Sequence, residues 1–228
     1  MPDAAIVELP RNVVPEPDVV LYRVDLPDVL DQRLVLLREP TSARARAFRL
    51  LRHRLLSKGD PRVVLVTSAQ AGEGKTTCAI NLALAIAEET PHTALYLDVN
   101  LRRPALRDLF ALDEVQGMLQ GLDLRRYPVG ALRQSRLRIC AAVGDRAPDA
   151  RLDRGIWPRA IADIREAYDY VIIDGPAVLD TADANVLAAS ADAVLFAARS
   201  DTSERTSLRQ AIDQLAPAPV VGMVLLDT

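Results

Sequence analysis

The chain has 228 residues, of which half are apolar, and its formal net charge is −3. This composition suits one α/β domain with a substantial core, and the small negative charge excludes a general attraction to nucleic acids. The two cysteines, Cys78 and Cys140, lack the spacing of a metal site and predict buried thiols in a reducing compartment. No apolar run is long enough for a membrane span and no signal-peptide pattern is present, so we predict a cytoplasmic protein.

Residues 1–40 predict an extended, proline-rich arm. Prolines at positions 2, 10, 15, 17 and 27 disfavour helix and leave room for a short strand near residues 19–24. Residues 41–228 predict a single domain, which begins with an arginine-rich helix over residues 42–57. Gly59 and Pro61 end this helix.

A glycine-rich turn then joins a predicted strand, residues 63–66, to a predicted helix, residues 75–89. Strand, turn, Gly-Lys-Thr and helix are the context of a loop that binds phosphate through backbone N–H groups and the positive end of the helix. Lys75 would reach the β- and γ-phosphates of ATP, and Thr76 would offer its hydroxyl to Mg²⁺. The alternative is a turn whose lysine is merely exposed. The predicted cofactor-binding residues are Gly72, Glu73, Gly74, Lys75, Thr76 and Thr77.

Apolar and helical segments alternate along the rest of the chain, as in a mostly parallel sheet with helices on both faces. The predicted strands cover residues 63–66, 94–97, 137–141, 170–173, 193–197 and 220–225. The predicted helices after residue 75 cover 75–89, 103–110, 157–167, 182–189 and 203–215. Residues 113–136 lack a clear pattern and predict a loop with a short helix.

Asp98 and Asp174 each follow an apolar strand directly. The carboxyl ends of parallel strands share one edge of the sheet, so we expect both carboxylates beside the phosphate loop. Asp174 is the predicted metal residue, because Mg²⁺ prefers oxygen ligands. Asp98 would hold the metal or accept a proton from the attacking group. The predicted catalytic residues are Lys75, Asp98 and Asp174, and the predicted metal residues are Thr76, Asp98 and Asp174.

Three motifs resemble those of the bacterial tyrosine kinases (BY-kinases), a family of deviant-Walker P-loop ATPases. Residues 71–76 are similar to the phosphate loop of that family, with Ala71 in place of its usual proline. Residues 95–104 (LYLDVNLRRP) look like its second Walker signature, and residues 171–176 (VIIDGP) look like its Walker B signature. The similarity covers nearly the whole chain after about residue 31.

This resemblance implies an α/β P-loop NTPase fold, with a mostly parallel central sheet, and ATP with Mg²⁺ as cofactors. BY-kinases phosphorylate tyrosines in their own C-terminal tails, form rings and act with a membrane protein that controls capsule or exopolysaccharide export. The resemblance therefore implies a polysaccharide co-polymerase or activator on a separate chain, which could recruit the protein to the inner face of the membrane. It leaves a homo-oligomer open, and no nucleic acid is expected as a partner.

The sequence departs from the family pattern at several places. Asn100 replaces the second acid of the second Walker signature, and Arg46 replaces the acid of the helix motif E-x-x-R-x-x-R that joins protomers. Leu226 stands where an asparagine typically helps to recognise adenine. No tyrosine follows Tyr170, so we expect the substrate tail to be missing.

These departures leave several functions open. The retained Lys75, Thr76, Asp98 and Asp174 favour an ATP-binding protein of exopolysaccharide production with degraded or trans-acting tyrosine kinase activity. A nucleotide-dependent switch, a weak ATPase and a pseudokinase scaffold are alternatives. A partition-type ATPase is a further one, although it would normally carry a lysine where Gln70 stands.

Overall fold

A computed structural model describes residues 18–88, 92–119, 122, 125–133, 135–144, 155 and 157–227. Three parts of the predictions lie outside these residues. They are residues 1–17 of the predicted arm, the last residue of the predicted helix 75–89, and Thr228. The strands are β1 (Asp18–Val24), β2 (Val63–Thr67), β3 (Ala94–Asp98), β4 (Arg126–Leu132), β5 (Leu137–Ala141), β6 (Tyr170–Asp174), β7 (Ala193–Arg199) and β8 (Val220–Leu226). The helices are α1 (Val35–Arg38), α2 (Ala43–Leu56), α3 (Lys75–Ala87), α4 (Leu106–Phe110), α5 (Trp157–Ala167), α6 (Asp183–Ala188) and α7 (Arg205–Leu215).

All these strands form one sheet in the order β1-β4-β5-β3-β6-β2-β7-β8. Six neighbouring strands are parallel to one another, in the order β5-β3-β6-β2-β7-β8. At the other edge, β4 is antiparallel to β5, and β1 is parallel to β4. The predicted mostly parallel α/β architecture is therefore confirmed. Because β2, β3 and β6 are central neighbours, their carboxyl ends meet at the middle of one edge.

Helices cover both faces of the sheet. Helices α1 to α4 contribute to the core on one face, and α5 to α7 contribute to the core on the other. Helix α3 is the central one, because it packs on the sheet and is itself covered by α1 and α2. In the described residues, no helix combines the length and the apolar character that crossing a membrane requires.

Both cysteines are buried free thiols, as predicted. Burial raises the pKa of Cys78 to about 12 and the pKa of Cys140 to about 12. Tyr168 and Tyr170 are also buried, at 7% and 5% exposure. Tyr170 belongs to the core on one face of the sheet, and Tyr168 belongs to the core on the other.

The prediction of a loop with a short helix over residues 113–136 is wrong, since this segment contains β4. Pro128 and Gly130 weaken the local preference for a strand. Pairing compensates for it, because all seven residues of β4 align with β1, and Gly130 and Ala131 pair with β5. Long-range pairing of this kind leaves no local sequence pattern.

Residues 18–40, which the sequence places in the arm, lie against the same core as the domain. Their strand β1 joins the sheet, and Leu34, Val35 and Leu36 are at most 3% exposed. The fully buried Asn81 of α3 holds this segment. Its Oδ1 accepts the Leu36 N–H at 3.0 Å, and its Nδ2 donates to the Arg33 carbonyl at 2.6 Å.

Candidate nucleotide-binding site

The predicted phosphate loop lies between β2 and α3, at the carboxyl edge of the sheet. Gly72 and Gly74 have φ values of +86° and +88°, a region that residues with a Cβ rarely adopt. Ala69, which replaces the first glycine of the general motif, lies outside that region and is fully buried. Its methyl group is therefore accommodated, and the two glycines that remain are the ones that the turn requires.

Glu73 fastens the loop to the protein. Its carboxylate is 5% exposed, and it accepts hydrogen bonds from the backbone N–H of Gln70, at 2.7 Å, and from the Ser203 hydroxyl. The Ser203 Oγ in turn accepts the Arg199 N–H at 2.8 Å. The phosphate loop is therefore linked to the turn between β7 and α7, a contact that the sequence does not reveal.

Lys75 and Thr76, the first two residues of α3, lie beside Asp174 at the end of β6. The Thr76 hydroxyl donates to Asp174 Oδ2 at 2.7 Å. The Lys75 side chain is nearly buried and donates no hydrogen bond within the described part of the chain. Burial lowers the pKa of Lys75, and the negative charge of Asp174 opposes this change. An ammonium group that makes no hydrogen bond to the described residues is suited to receive a phosphate oxygen.

Tyr96, which the sequence analysis missed, completes the surroundings of Asp174. It lies on β3, is fully buried, and its hydroxyl donates to Asp174 Oδ2 at 2.8 Å. Burial raises the pKa of Asp174, and the hydroxyls of Thr76 and Tyr96 oppose the rise. An apolar strand that contains a single tyrosine gives no sign that its hydroxyl reaches the next strand.

The residues around Asp174 suit Mg²⁺. Asp174 Oδ1 is buried and has no hydrogen-bond partner among the described residues, while Thr76 keeps lone pairs on its oxygen. These are oxygen ligands, which Mg²⁺ prefers. Within the described residues no group of three or more His, Cys, Asp or Glu side chains could hold a metal. In proteins Mg²⁺ commonly uses one or two carboxylates and takes its other ligands from phosphates and water.

Asp98 lies directly beside Asp174, because the two residues are register partners on β3 and β6. Its Oδ1 accepts the Asn100 N–H at 3.1 Å, and its Oδ2 accepts the N–H groups of Ala105 and Leu106 at 2.6 and 3.0 Å. Burial, together with the charge of Asp174, raises the pKa of Asp98 to about 7. Asp98 therefore stabilises the turn that follows β3, and its pKa lies near neutral pH.

The positions that depart from the family pattern lie around this site. The Asn100 Oδ1 accepts the Arg103 N–H at 3.3 Å, so the side chain stabilises the turn after β3. Leu226 ends β8 and packs on Gly74 so closely that a Cβ atom on this glycine would collide with it. Leu226 also lines a cavity of about 790 Å³ together with Gly74 and Thr77.

The arginine motif on α2 makes contacts within its own chain. Arg49 forms a bidentate pair with Glu88, with both distances 2.7 Å. Arg52 donates to the Ala85 carbonyl at 2.7 Å. Arg46 is exposed and donates to the Thr41 carbonyl at 2.6 Å. Two arginines of the motif thus bind the end of α3.

No family model matches the chain. The chain is 28% identical over 194 residues to the tyrosine-protein kinase YwqD of Bacillus subtilis. This match covers 82% of the chain and 81% of YwqD. The chain is 26% identical over 201 residues to the succinoglycan biosynthesis transport protein ExoP of Rhizobium meliloti. That match covers 83% of this chain and 25% of ExoP, so the chain spans about a quarter of ExoP.

Among solved structures, the kinase domain of the Escherichia coli tyrosine kinase ETK matches with a TM-score of 0.77 at 21% identity. The match covers 90% of this chain and 89% of that domain, and it shows that the two share a fold. MinD of Aquifex aeolicus is a more distant fold neighbour, with a TM-score of 0.58.

Proposed function

Because this chain is a relative of the bacterial tyrosine kinases, we propose that it binds ATP with Mg²⁺ and has tyrosine kinase activity that is reduced or directed at another protein. The observation that carries the proposal is the meeting of Lys75, Thr76 and Asp174 at the start of α3. These groups supply a cation for phosphate and oxygens for Mg²⁺ next to a loop of the required shape. A core that needed only stability would not place them together.

The chemistry follows from the positions of these groups. The backbone N–H groups of residues 72–77 would bind the phosphates, and the Lys75 ammonium would bind the oxygens that gain charge during transfer. Thr76 and Asp174 would hold Mg²⁺, which would supply positive charge to offset the negative charge of the phosphates. Asp98 accepts the proton of the attacking hydroxyl, a role suited to a carboxylate whose pKa is about 7.

The reduced activity is proposed from Asn100. A carboxylate at this position would strengthen hydrogen bonds to metal-bound water, whereas the neutral amide gives weaker ones. Nucleotide binding depends mainly on the loop and Lys75, so the amide should reduce turnover more than affinity. A nucleotide-dependent switch without tyrosine transfer is the second candidate. The hydrogen bond between Ser203 and Glu73 favours a switch, because a shift of the phosphate loop would move the turn that leads into α7.

We place this activity in exopolysaccharide or capsule production, because the name of ExoP assigns that protein to succinoglycan biosynthesis. The proposed partner is a membrane polysaccharide co-polymerase or activator on a separate chain. It would hold this cytoplasmic protein at the inner face of the membrane.

The test begins with calorimetric titration of Mg-ATP and Mg-ADP into the wild type and Lys75→Ala. We expect binding to the wild type and a loss of roughly tenfold or more in the variant. Lys58→Ala is the matched control, since Lys58 is an exposed lysine that follows the carboxyl end of α2. Equal affinities in the wild type and Lys75→Ala would contradict the proposed site. Transfer of labelled phosphate to a tyrosine-containing polymer then separates a kinase from a switch.

A further inference from the structure

Arg33 lies next to the phosphate loop, although it belongs to the segment before α1. Its side chain lines the same cavity of about 790 Å³ as Gly74 and Thr77. It is 29% exposed, so it is partly shielded from water and still open to a ligand. No motif in the sequence points to this residue.

The backbone of Arg33 is fixed to α3. The Nδ2 group of Asn81 donates both to the Arg33 carbonyl, at 2.6 Å, and to the Thr77 carbonyl, at 2.7 Å. One buried amide group therefore joins Arg33 to the first turn of the helix that follows the phosphate loop. Because Asn81 is fully buried, Arg33 cannot move away from Thr77 without leaving buried polar groups unpaired.

The guanidinium of Arg33 is also held in one orientation. Its Nε and Nη2 atoms donate to the two oxygens of Asp31, at 2.9 and 2.8 Å. Nη1 has no hydrogen-bond partner within the described part of the chain. Burial raises the pKa of Asp174, and Arg33 is among the cations that oppose this rise, so its charge reaches the centre of the site. A fixed cation with unused donors loses little conformational freedom when it binds.

We propose that Arg33 binds the phosphate chain of the nucleotide on the side of Thr77, as a second cation beside Lys75. The proposal rests on the nucleotide-binding function proposed above. A guanidinium matches pairs of phosphate oxygens, and phosphate is the anionic part of a nucleotide that lies over the start of α3. Lys75 would bind the β- and γ-phosphates. Arg33, on the side of Thr77, would therefore bind the part of the phosphate chain that ADP and ATP share.

The experiment is calorimetric titration of Mg-ADP and Mg-ATP into the wild type, Arg33→Ala, Asp31→Ala and Arg23→Ala. We expect Arg33→Ala to weaken both nucleotides by about tenfold to a hundredfold, the usual effect of losing a charged hydrogen bond. Asp31→Ala breaks the same ion pair but keeps the guanidinium, and should stay within about threefold of the wild type. Arg23→Ala removes an exposed arginine from β1, at the far edge of the sheet, and should have no effect.

The outcomes separate this proposal from the broader one. A wild type that binds neither nucleotide would refute the proposed function itself. Normal binding by the wild type with unchanged affinity in Arg33→Ala would overturn only the role of Arg33. Equal losses in Arg33→Ala and Asp31→Ala would mean that the ion pair merely holds the segment, and a loss confined to ATP would place the contact elsewhere. Circular dichroism verifies folding, and Arg33→Gln replaces Arg33→Ala in the same titration if the latter does not fold.

Discussion

The side chain of Leu226, at the end of β8, packs directly on Gly74, the residue just before helix α3. Gly74 has a φ of +88°, a conformation that residues with a Cβ rarely adopt. The absence of a side chain on Gly74 also leaves room for Leu226. The contact places an apolar group at the mouth of the cavity beside the phosphate loop. An apolar side chain there offers no hydrogen bond to a nucleotide base.

The first prediction concerns base selectivity. We expect the wild type to bind ATP and GTP with affinities within about threefold of each other, and Leu226→Asn to favour ATP by about tenfold, because an amide supplies a directional hydrogen bond to adenine. Competition titrations with both nucleotides measure the ratio. Leu226→Ala is the control, since it opens the same space without adding a polar group. A strong preference for ATP in the wild type would show that other residues read the base.

The second prediction is that Asn100→Asp speeds catalysis. The carboxylate has nearly the same volume and can still accept the Arg103 N–H, so the turn is retained. Its negative charge should raise the Mg-ATPase or kinase rate by roughly tenfold, equivalent to about 1.4 kcal/mol of barrier. Asp98→Asn in the same background should remove the gain. An unchanged rate with normal nucleotide binding would mean that Asn100 does not limit this protein.

The third prediction tests the hydroxyl of Tyr96. Tyr96→Phe leaves the buried Asp174 with one donor instead of two on Oδ2. We expect the free energy of unfolding at pH 8 to fall by about 1.5–3 kcal/mol, as for other hydrogen bonds to charged groups. Tyr22→Phe is the control. Its hydroxyl is buried and has no hydrogen-bond partner in the described part of the chain, so its removal should be neutral or stabilising.

The cost of Tyr96→Phe should depend on pH. Burial raises the pKa of Asp174 above 3.8 in the folded state, so folding becomes less favourable as the pH rises past the unfolded value. The Tyr96 hydroxyl limits that rise in pKa. Without it, the folded-state pKa of Asp174 is higher, so the free energy of unfolding falls further as the pH rises. Urea unfolding at pH 5 and pH 8 without nucleotide should show a larger difference between the two proteins at pH 8. Equal differences at both values would contradict a role in stabilising the carboxylate.

The fourth prediction concerns assembly through α2. Arg49 and Arg52 bind the end of α3 in the same chain, and Arg46 places a positive charge where the family motif has an acid. We expect the wild type to be monomeric or dimeric and Arg46→Glu to form larger assemblies, because the new acid can attract arginines of a neighbouring copy. Light scattering measures both. Arg44→Glu changes the charge of the same helix equally and should not assemble, whereas a closed ring from the wild type would point to another surface.

The sequence was informative where function and fold leave short local patterns. Buried parallel strands appear as apolar runs, and the aspartates that end β3 and β6 mark the edge at which the phosphate loop lies. Together with the Gly-Lys-Thr run at the junction of strand and helix, these features predict that Lys75, Thr76 and Asp174 lie close together. The glycines at positions 72 and 74 likewise report a backbone shape that few other residues adopt.

The parts that were missed depend on contacts between distant segments. Tyr96 reaches Asp174 from another strand, and Arg33 reaches Thr77 through Asn81. Strand β4 exists because β1 pairs with it, in spite of Pro128 and Gly130. Local composition carries no record of such partners, so only the folded arrangement identifies them.

The burial of both cysteines makes the protein convenient for labelling. Thiols react with maleimides as thiolates, and a pKa of about 12 leaves Cys78 and Cys140 almost entirely protonated at neutral pH. A single cysteine introduced at Leu50, which is 48% exposed on α2, would therefore take a fluorophore selectively without removing either native residue. The natural sequence thus already provides a background in which one dye can report when copies or partners approach that helix.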